Sequence, residues 1–160
     1  MTLATTPTAV FDEVPALLEQ MLPDCVTRQQ IEALGAHLLR LEASTGVMDL
    51  STMHHHADGV YGRSFVLRAG TVLIGLPHRR SGLTVTVGDI TVWAEDGGRQ
   101  RVTGINLQAS TPGQMRVGFV HRDTTCITFH ANDTGSLDAE VIEEALVEHP
   151  SMLITRRGQA

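Results

Sequence analysis

Leu83-Thr84-Val85-Thr86-Val87, then Gly88-Asp89, then Ile90-Thr91-Val92-Trp93-Ala94, then Asp96-Gly97-Gly98: this run decides the fold class. Apolar and polar residues alternate with period two, the spacing that sends successive side chains to opposite faces of a strand. Val, Ile, Thr and Trp pack well on a pleated surface. Gly and Asp tolerate the positive φ angles of tight turns, so both Gly-containing junctions are predicted to be hairpins.

The same pattern extends in both directions. Upstream, Val60 to Leu67 reads as a strand closed by Ala69-Gly70, and Thr71 to Leu76 as another, followed by a turn at Arg79-Arg80-Ser81-Gly82. Downstream come Arg101 to Leu107, Met115 to His121 and Thr124 to His130, the last two predicted to pair through a turn at Arg122-Asp123. About seven short strands at close spacing mean an antiparallel barrel or sandwich rather than a βαβ fold.

Helical periodicity flanks the strands. Val14, Leu17, Leu18 and Met21 recur at helical spacing between Phe11 and Leu22, with Pro15 in the first turn and Pro23 as the stop. Thr27-Arg28-Gln29-Gln30 has the form of a capping box, and Ile31, Leu34, Leu38 and Leu41 behind it make one apolar stripe ending near Ser44 to Gly46. Ser136 is expected to cap a last helix with Asp138 and Glu140 in its first turn, stopped by His149-Pro150. The chain divides into an N-terminal arm and helices (1–50), a β-barrel (51–135) and a C-terminal helix and tail (136–160), with Met1 to Ala9 a Thr- and Pro-rich arm.

A chain of 160 residues suits one core. The net charge is −6 and the basic residues are scattered, with His78-Arg79-Arg80 and the pair Arg99 and Arg101 as the densest groups. Nucleic-acid binders show a basic face, so no nucleic-acid partner is expected. No apolar run approaches the ~20 residues that cross a bilayer, and Met1 to Val10 lacks the features of a signal peptide, so neither membrane attachment nor secretion is expected. Cys25 and Cys126 lie in unrelated segments and read as free thiols.

Histidine is the informative residue type. His54, His55, His56, His78, His121 and His130 all lie in or beside the β zone, and neutral imidazole is the commonest metal ligand. His130 shares a strand face with Thr124, Cys126 and Thr128, opposite to Thr125, Ile127 and Phe129, so the Thr/Cys/His row is expected to line a pocket. The pocket candidates are His78, Arg116, His121, His130, Cys126 and Thr128. His54 and His56 share a face if extended, while a polar loop is the plainer reading of that triplet. No nucleophile elbow or phosphate-binding loop is present, and no catalytic residue is assigned.

Gly70-Thr71-Val72-Leu73-Ile74-Gly75 with His78 and the later Gly88-Asp89-Ile90 resembles the first cupin motif, and Thr111-Pro112-Gly113-Gln114-Met115-Arg116-Val117-Gly118 the second. The chain is similar, more specifically, to the small cupin-like proteins of tailed phages and prophages. That similarity lies in Thr27 to Leu34, His54 to Arg63, Gly70 to His78, and above all Arg116 to Asn132. The resemblance implies a jelly-roll barrel with helices at both ends. It also implies a homo-oligomer, or assembly with other phage structural proteins, in the host cytoplasm or virion. Metal-binding cupins carry two histidines and a carboxylate in the first motif and a histidine in the second. Here His78 alone remains in the first, and Arg116 stands where the last ligand is expected, favouring an anion over a cation. No resident metal is therefore expected; a divalent metal, if bound, would draw on His54, His56, His78 and His130. Three functions follow: a non-catalytic assembly or binding module, a metal-dependent isomerase or dioxygenase on a small polar substrate, and a metal-free sugar or anion binder.

Overall fold

The computed structural model describes residues 2–5, 18, 20–45, 50–95 and 97–148, with side chains for all of these but 2–5 and 39–45. In chain order the elements are β1 (Thr2–Thr5), α1 (Arg28–Thr45), β2 (Met53–Ala57), β3 (Val60–Leu67), β4 (Val72–Gly75), β5 (Gly82–Ala94), β6 (Gly98–Ser110), β7 (Arg116–Ala131) and α2 (Ala139–Leu146). Most of the expected arm and of the Phe11 to Leu22 helix, and the tail from 149 onward, lie outside the described residues; Leu18, Gln20 and Met21 are helical.

The fold is mainly antiparallel β, with α1 between β1 and β2 and α2 after β7 in sequence. β7 is its spine. The first half of β7 pairs with β4 (Gly75↔Arg116 to Val72↔Phe119) and its second half with β3 (Leu67↔Thr124 to Val60↔Ala131). Its other side pairs with β5 from Ala94↔Arg116 to Gly82↔His130. β1, β2 and β6 extend the sheet from β4, β3 and β5. Thr2–Thr5, expected to be part of a patternless arm, is thus an edge strand on its own chain.

Alternation gives the sheet two faces. Phe65, Leu67, Ile90, Val102, Val120 and Cys126 cluster on its inner face. On one half of the outer face, Val72, Ile74, Trp93, Val117 and Phe119 lie under Leu18, Leu22, Val26, Ile31, Leu34 and Leu38. The capping box is formed as read: Thr27 N donates to Gln30 Oε1 (2.9 Å) and Gln30 N to Thr27 Oγ1 (3.3 Å). Arg28 fastens this helix to the sheet through Glu95 (3.1 Å) and the Gly113 carbonyl.

Two turn assignments and one helix cap need correction. The expected hairpin joins β5 to β6 in the register Ala94↔Gly98, with Asp96 outside the described residues. Gly88-Asp89 is not a turn but the middle of the 13-residue β5, at a break in its register with β7. A Cβ at Gly88 would collide with the Thr124 hydroxyl, which accepts from Asp89 N (3.1 Å); the glycine serves close approach, as at a bulge. Nor do Met115–His121 and Thr124–His130 form a hairpin. They are one 16-residue strand, with Arg122-Asp123 inside it. Neither residue has the positive φ that a two-residue hairpin requires. Asp123 instead accepts from Ala69 N (2.9 Å) and Arg68 Nη1 (2.6 Å), closing the β3–β4 loop. The N-cap of α2 is Asp138, which accepts from Glu140 N (2.9 Å), rather than Ser136, whose hydroxyl accepts from Asp138 N (3.0 Å).

Candidate functional site

Inside the sheet lies a cavity of about 120 Å³. One part of its wall is apolar, from Phe65, Leu73, Leu76, Ile90 and Val92; the other is polar, from Arg63, His78, Thr84, Thr86, Gln108, Ser110, Gln114, Arg116, Thr128 and His130. The volume suits a small molecule or a few waters.

The polar wall is built from three directions. β7 supplies Arg116, Cys126, Thr128 and His130 from the face the sequence assigned them. β3 supplies Arg63, opposite Thr128 in register. His78 comes from the segment after β4, which is clamped on both sides. Gly113 N donates to His78 O (2.8 Å), Arg79 N to Leu146 O (2.8 Å) and Glu148 N to Pro77 O (3.0 Å).

The rings of His78 and His130 face each other with centroids 4.6 Å apart and planes tilted by 40°. His78 Nε2 and both ring nitrogens of His130 are enclosed and have no hydrogen-bond partner among the described residues; the same is true of Thr128 Oγ1 and Arg63 Nε. Burial holds the His78 pKa down at about 2, helped by the neighbouring His130 and Arg63. Burial and the Arg63 charge hold His130 down at about 4. Both imidazoles are therefore neutral near pH 7, each offering one N–H donor and one nitrogen acceptor. Buried polar atoms are normally satisfied, so these mark the place where a bound molecule or water completes the wall.

Space for the His130 ring is made by Gly82, its register partner on β5. A Cβ at Gly82 would lie 2.7 Å from His130 Nδ1, backed by the Phe129 carbonyl at 3.0 Å. Gly82→Ala is expected to drive the ring into the cavity and to destabilise the protein by about 1–3 kcal/mol, the cost of overpacking. Chemical denaturation checks the stability, and the imidazole NMR shifts of His78 and His130 check the displacement. Unchanged shifts would show that the contact is relieved elsewhere.

Of the six pocket candidates, five line this cavity; His121 does not. It follows Phe119 on the outer face of β7, bonds Thr91 Oγ1 through Nε2 (2.7 Å) and meets the edge of Phe119 (4.9 Å). His54 and His56 sit on β2 beside Tyr61, with His54 Nδ1 at 2.7 Å from the phenol oxygen, and do not line the cavity. The triplet is a strand rather than a loop. Arg63, Thr84, Thr86, Gln108, Ser110 and Gln114 are the lining polar residues that sequence reading missed. Alternation along β5 and β6 signals the Thr and Gln side chains once inward parity is known; nothing local signals Arg63.

A resident divalent metal does not fit this donor set. Among the described residues no three His, Cys, Asp or Glu side chains come together as a cation site. The cavity offers two imidazoles and the Cys126 thiol, which burial pushes up to about 12 and so keeps protonated, with two arginines on the same wall. An open metal site takes three protein ligands, and cations beside it oppose the charge. The other arginines noted in the sequence are engaged elsewhere: Arg79 Nε with Val147 O (2.8 Å), Arg80 with Asp133 (2.6 Å), Arg101 with Asp89 (2.9 Å), and Arg99 above the Trp93 ring (5.5 Å). No helix among the described residues is long and apolar enough to cross a membrane.

No protein-family model matches the chain. No curated protein matches it either. Among solved structures it is similar to a cupin-like protein from Thermotoga maritima (12% identity, TM-score 0.44, covering 59% of this chain and 82% of that one). It is also similar to a cupin-2 domain containing protein from Shewanella frigidimarina (6%, 0.43, 58% and 91%). A third is described as a predicted oxalate decarboxylase from Thermotoga maritima (8%, 0.42, 49% and 76%). Likeness at this level transfers neither ligand nor activity.

Proposed function

We propose that this chain is a non-catalytic, cupin-like binding module that holds a small polar ligand, a sugar or a carboxylate, without a metal. The observation that carries it is the facing pair of neutral, enclosed imidazoles with unsatisfied ring nitrogens, beside Thr128 and Arg63. Three ring nitrogens, one on His78 and a donor–acceptor pair on His130, with a hydroxyl and a guanidinium match the hydroxyl and carboxylate groups of such molecules. The apolar wall accepts their carbon skeleton. An enzymatic reading needs a third metal ligand or an activated nucleophile at the cavity. The structural role in a virion implied by the phage resemblance draws on no residue of this site.

The test is calorimetry of the full chain against monosaccharides, sugar acids and short dicarboxylates, with and without a chelator. We expect a ligand whose affinity is indifferent to the chelator and falls about tenfold or more, some 1.4 kcal/mol, in His130→Ala and in Thr128→Val. A ligand that binds only when a divalent metal is added, or that ignores both substitutions, overturns the proposal.

A further inference from the structure

The cavity that holds the two imidazoles does not end at them. A second hollow of about 210 Å³ adjoins it toward the β5–β6 hairpin, and Val92, Gln108, Gln114 and Arg116 line both. Ala94, the register partner of Arg116, and the exposed Gln100, opposite Val92, line the second hollow only. Strand alternation puts Val92 and Ala94 on one face of β5, and Gln100 and Gln108 on one face of β6. The second hollow is thus the inner face continued outward, a vestibule to the cavity.

Arg116 stands where the two meet. The β6–β7 loop, closed by Gln114 N donating to Thr111 O (3.2 Å), brings it back over the end of β6. There its Nη2 donates to Ala109 O (2.7 Å) and its Nη1 to Gln108 Oε1 (3.4 Å). These bonds fix the plane of a guanidinium, whose fork of donors matches a carboxylate.

Size and charge of the lining bear on what enters. The inner cavity, at about 120 Å³, is smaller than the roughly 300 Å³ at which small-molecule sites begin, and only with the vestibule does the space reach it. Among the described residues, two arginines and no Asp or Glu line the two hollows. Arg63 lies beside the imidazoles with Glu143 against it, and Arg116 lies at the junction.

We infer that the ligand is two-ended, a sugar acid or similar polyhydroxy acid, with hydroxyls among His78, His130 and Thr128 and its carboxylate at Arg116, toward the vestibule. This rests on the binding reading above and narrows it to one class with one orientation. Enclosed, uncharged imidazoles offer hydrogen bonds suited to hydroxyls, while a carboxylate carried that deep loses its hydration at high cost. At Arg116, which is only partly buried, the same group keeps contact with water and gains charge-assisted hydrogen bonds.

Calorimetry of the full chain tests this by comparing D-glucuronate with D-glucose, and D-gluconate with D-sorbitol, pairs that differ at the carboxylate. We expect at least one acid to bind about tenfold or more tightly than its neutral counterpart, and Arg116→Gln to weaken it about tenfold. Because Arg116 also ties the β6–β7 loop to β6, Gln100 supplies a second probe that leaves those bonds in place. Gln100→Lys should strengthen the acid about threefold and Gln100→Glu weaken it about as much, with the neutral sugars unmoved. A neutral member that binds as tightly as its acid overturns the inference, as does an acid indifferent to all three substitutions. Where such binding still falls in His130→Ala and Thr128→Val, the binding module stands and its ligand is confined to the inner cavity. If none of the four compounds binds, the inference falls, and the broader panel above decides the reading on which it rests.

Discussion

Lowering the pH from 7 to 5 is expected to cost the protein about 3–4 kcal/mol of stability, most of it from two histidines. His78 and His130 have folded pKa values held down to about 2 and about 4 by burial and by Arg63. In the unfolded chain both return to ~6.5. Below that value the unfolded chain takes up two protons that the folded one refuses, so stability is full above about pH 6.5 and is lost as the pH falls. Each proton contributes about 1.4 kcal/mol per pH unit well inside this window, and His130 stops contributing near pH 4. Carboxylates held low by ion pairs, such as Asp89 and Asp123, act only below the usual carboxylate range and so do not shape the interval from 7 to 5.

Urea unfolding at pH 7, 6 and 5 measures the loss. His78→Gln and His130→Gln should each remove a similar share of the slope, and the double variant most of it, with a smaller part left to His121, whose pKa burial also lowers. A double variant as acid-sensitive as the unchanged protein would show that these rings titrate as exposed ones do. The cavity would then be wet and open, and the binding proposal would lose its footing.

What the sequence revealed of this fold was whatever depends on neighbours in the chain. Thr27 and Gln30 announce their helix because a capping box is complete within four residues. The Gly97-Gly98 hairpin and the inward row Cys126, Thr128, His130 are equally local. Gly88 misled because a glycine between two alternating runs signals a turn and a bulge alike; choosing needs the partner strand, and Thr124 stands 36 positions away. Arg122-Asp123 lacks the residues of a tight turn, so the two runs around it were better read as one strand. His121 was misplaced because it was grouped by residue type, although its odd position puts it on the face of Ile127 and Phe129. The facing of His78 and His130 depends on the clamp around Pro77 to Arg79, which involves the turn at Gly113 and the segment after α2.

The least legible feature carries the other large expected effect. Arg63 on β3 and Glu143 on α2 form an ion pair at 2.9 Å with both side chains only 5% exposed. Tyr61 donates to the same carboxylate oxygen (3.3 Å), and burial beside that carboxylate raises the phenol's pKa. α2 has only eight residues, too short to be stable alone, and its apolar anchors are Ile142 and Leu146 against Tyr61. Removing one member of such a pair leaves the other charge buried without its partner, at a cost of about 3–5 kcal/mol, whereas replacing both by apolar residues is near neutral. Glu143→Ala and Arg63→Met are each expected to lower the melting temperature by about 10 °C or more, at about 2–4 °C per kcal/mol in a domain of this size. Arg63→Met with Glu143→Leu should recover most of the loss. Because Val147 and Glu148 after α2 hold the His78 segment, Glu143→Ala should also raise amide exchange at Arg79 and Glu148, while the double apolar variant leaves it low. If the double variant is as unstable as the singles combined, the pair contributes through packing rather than charge, and the electrostatic account of this corner fails.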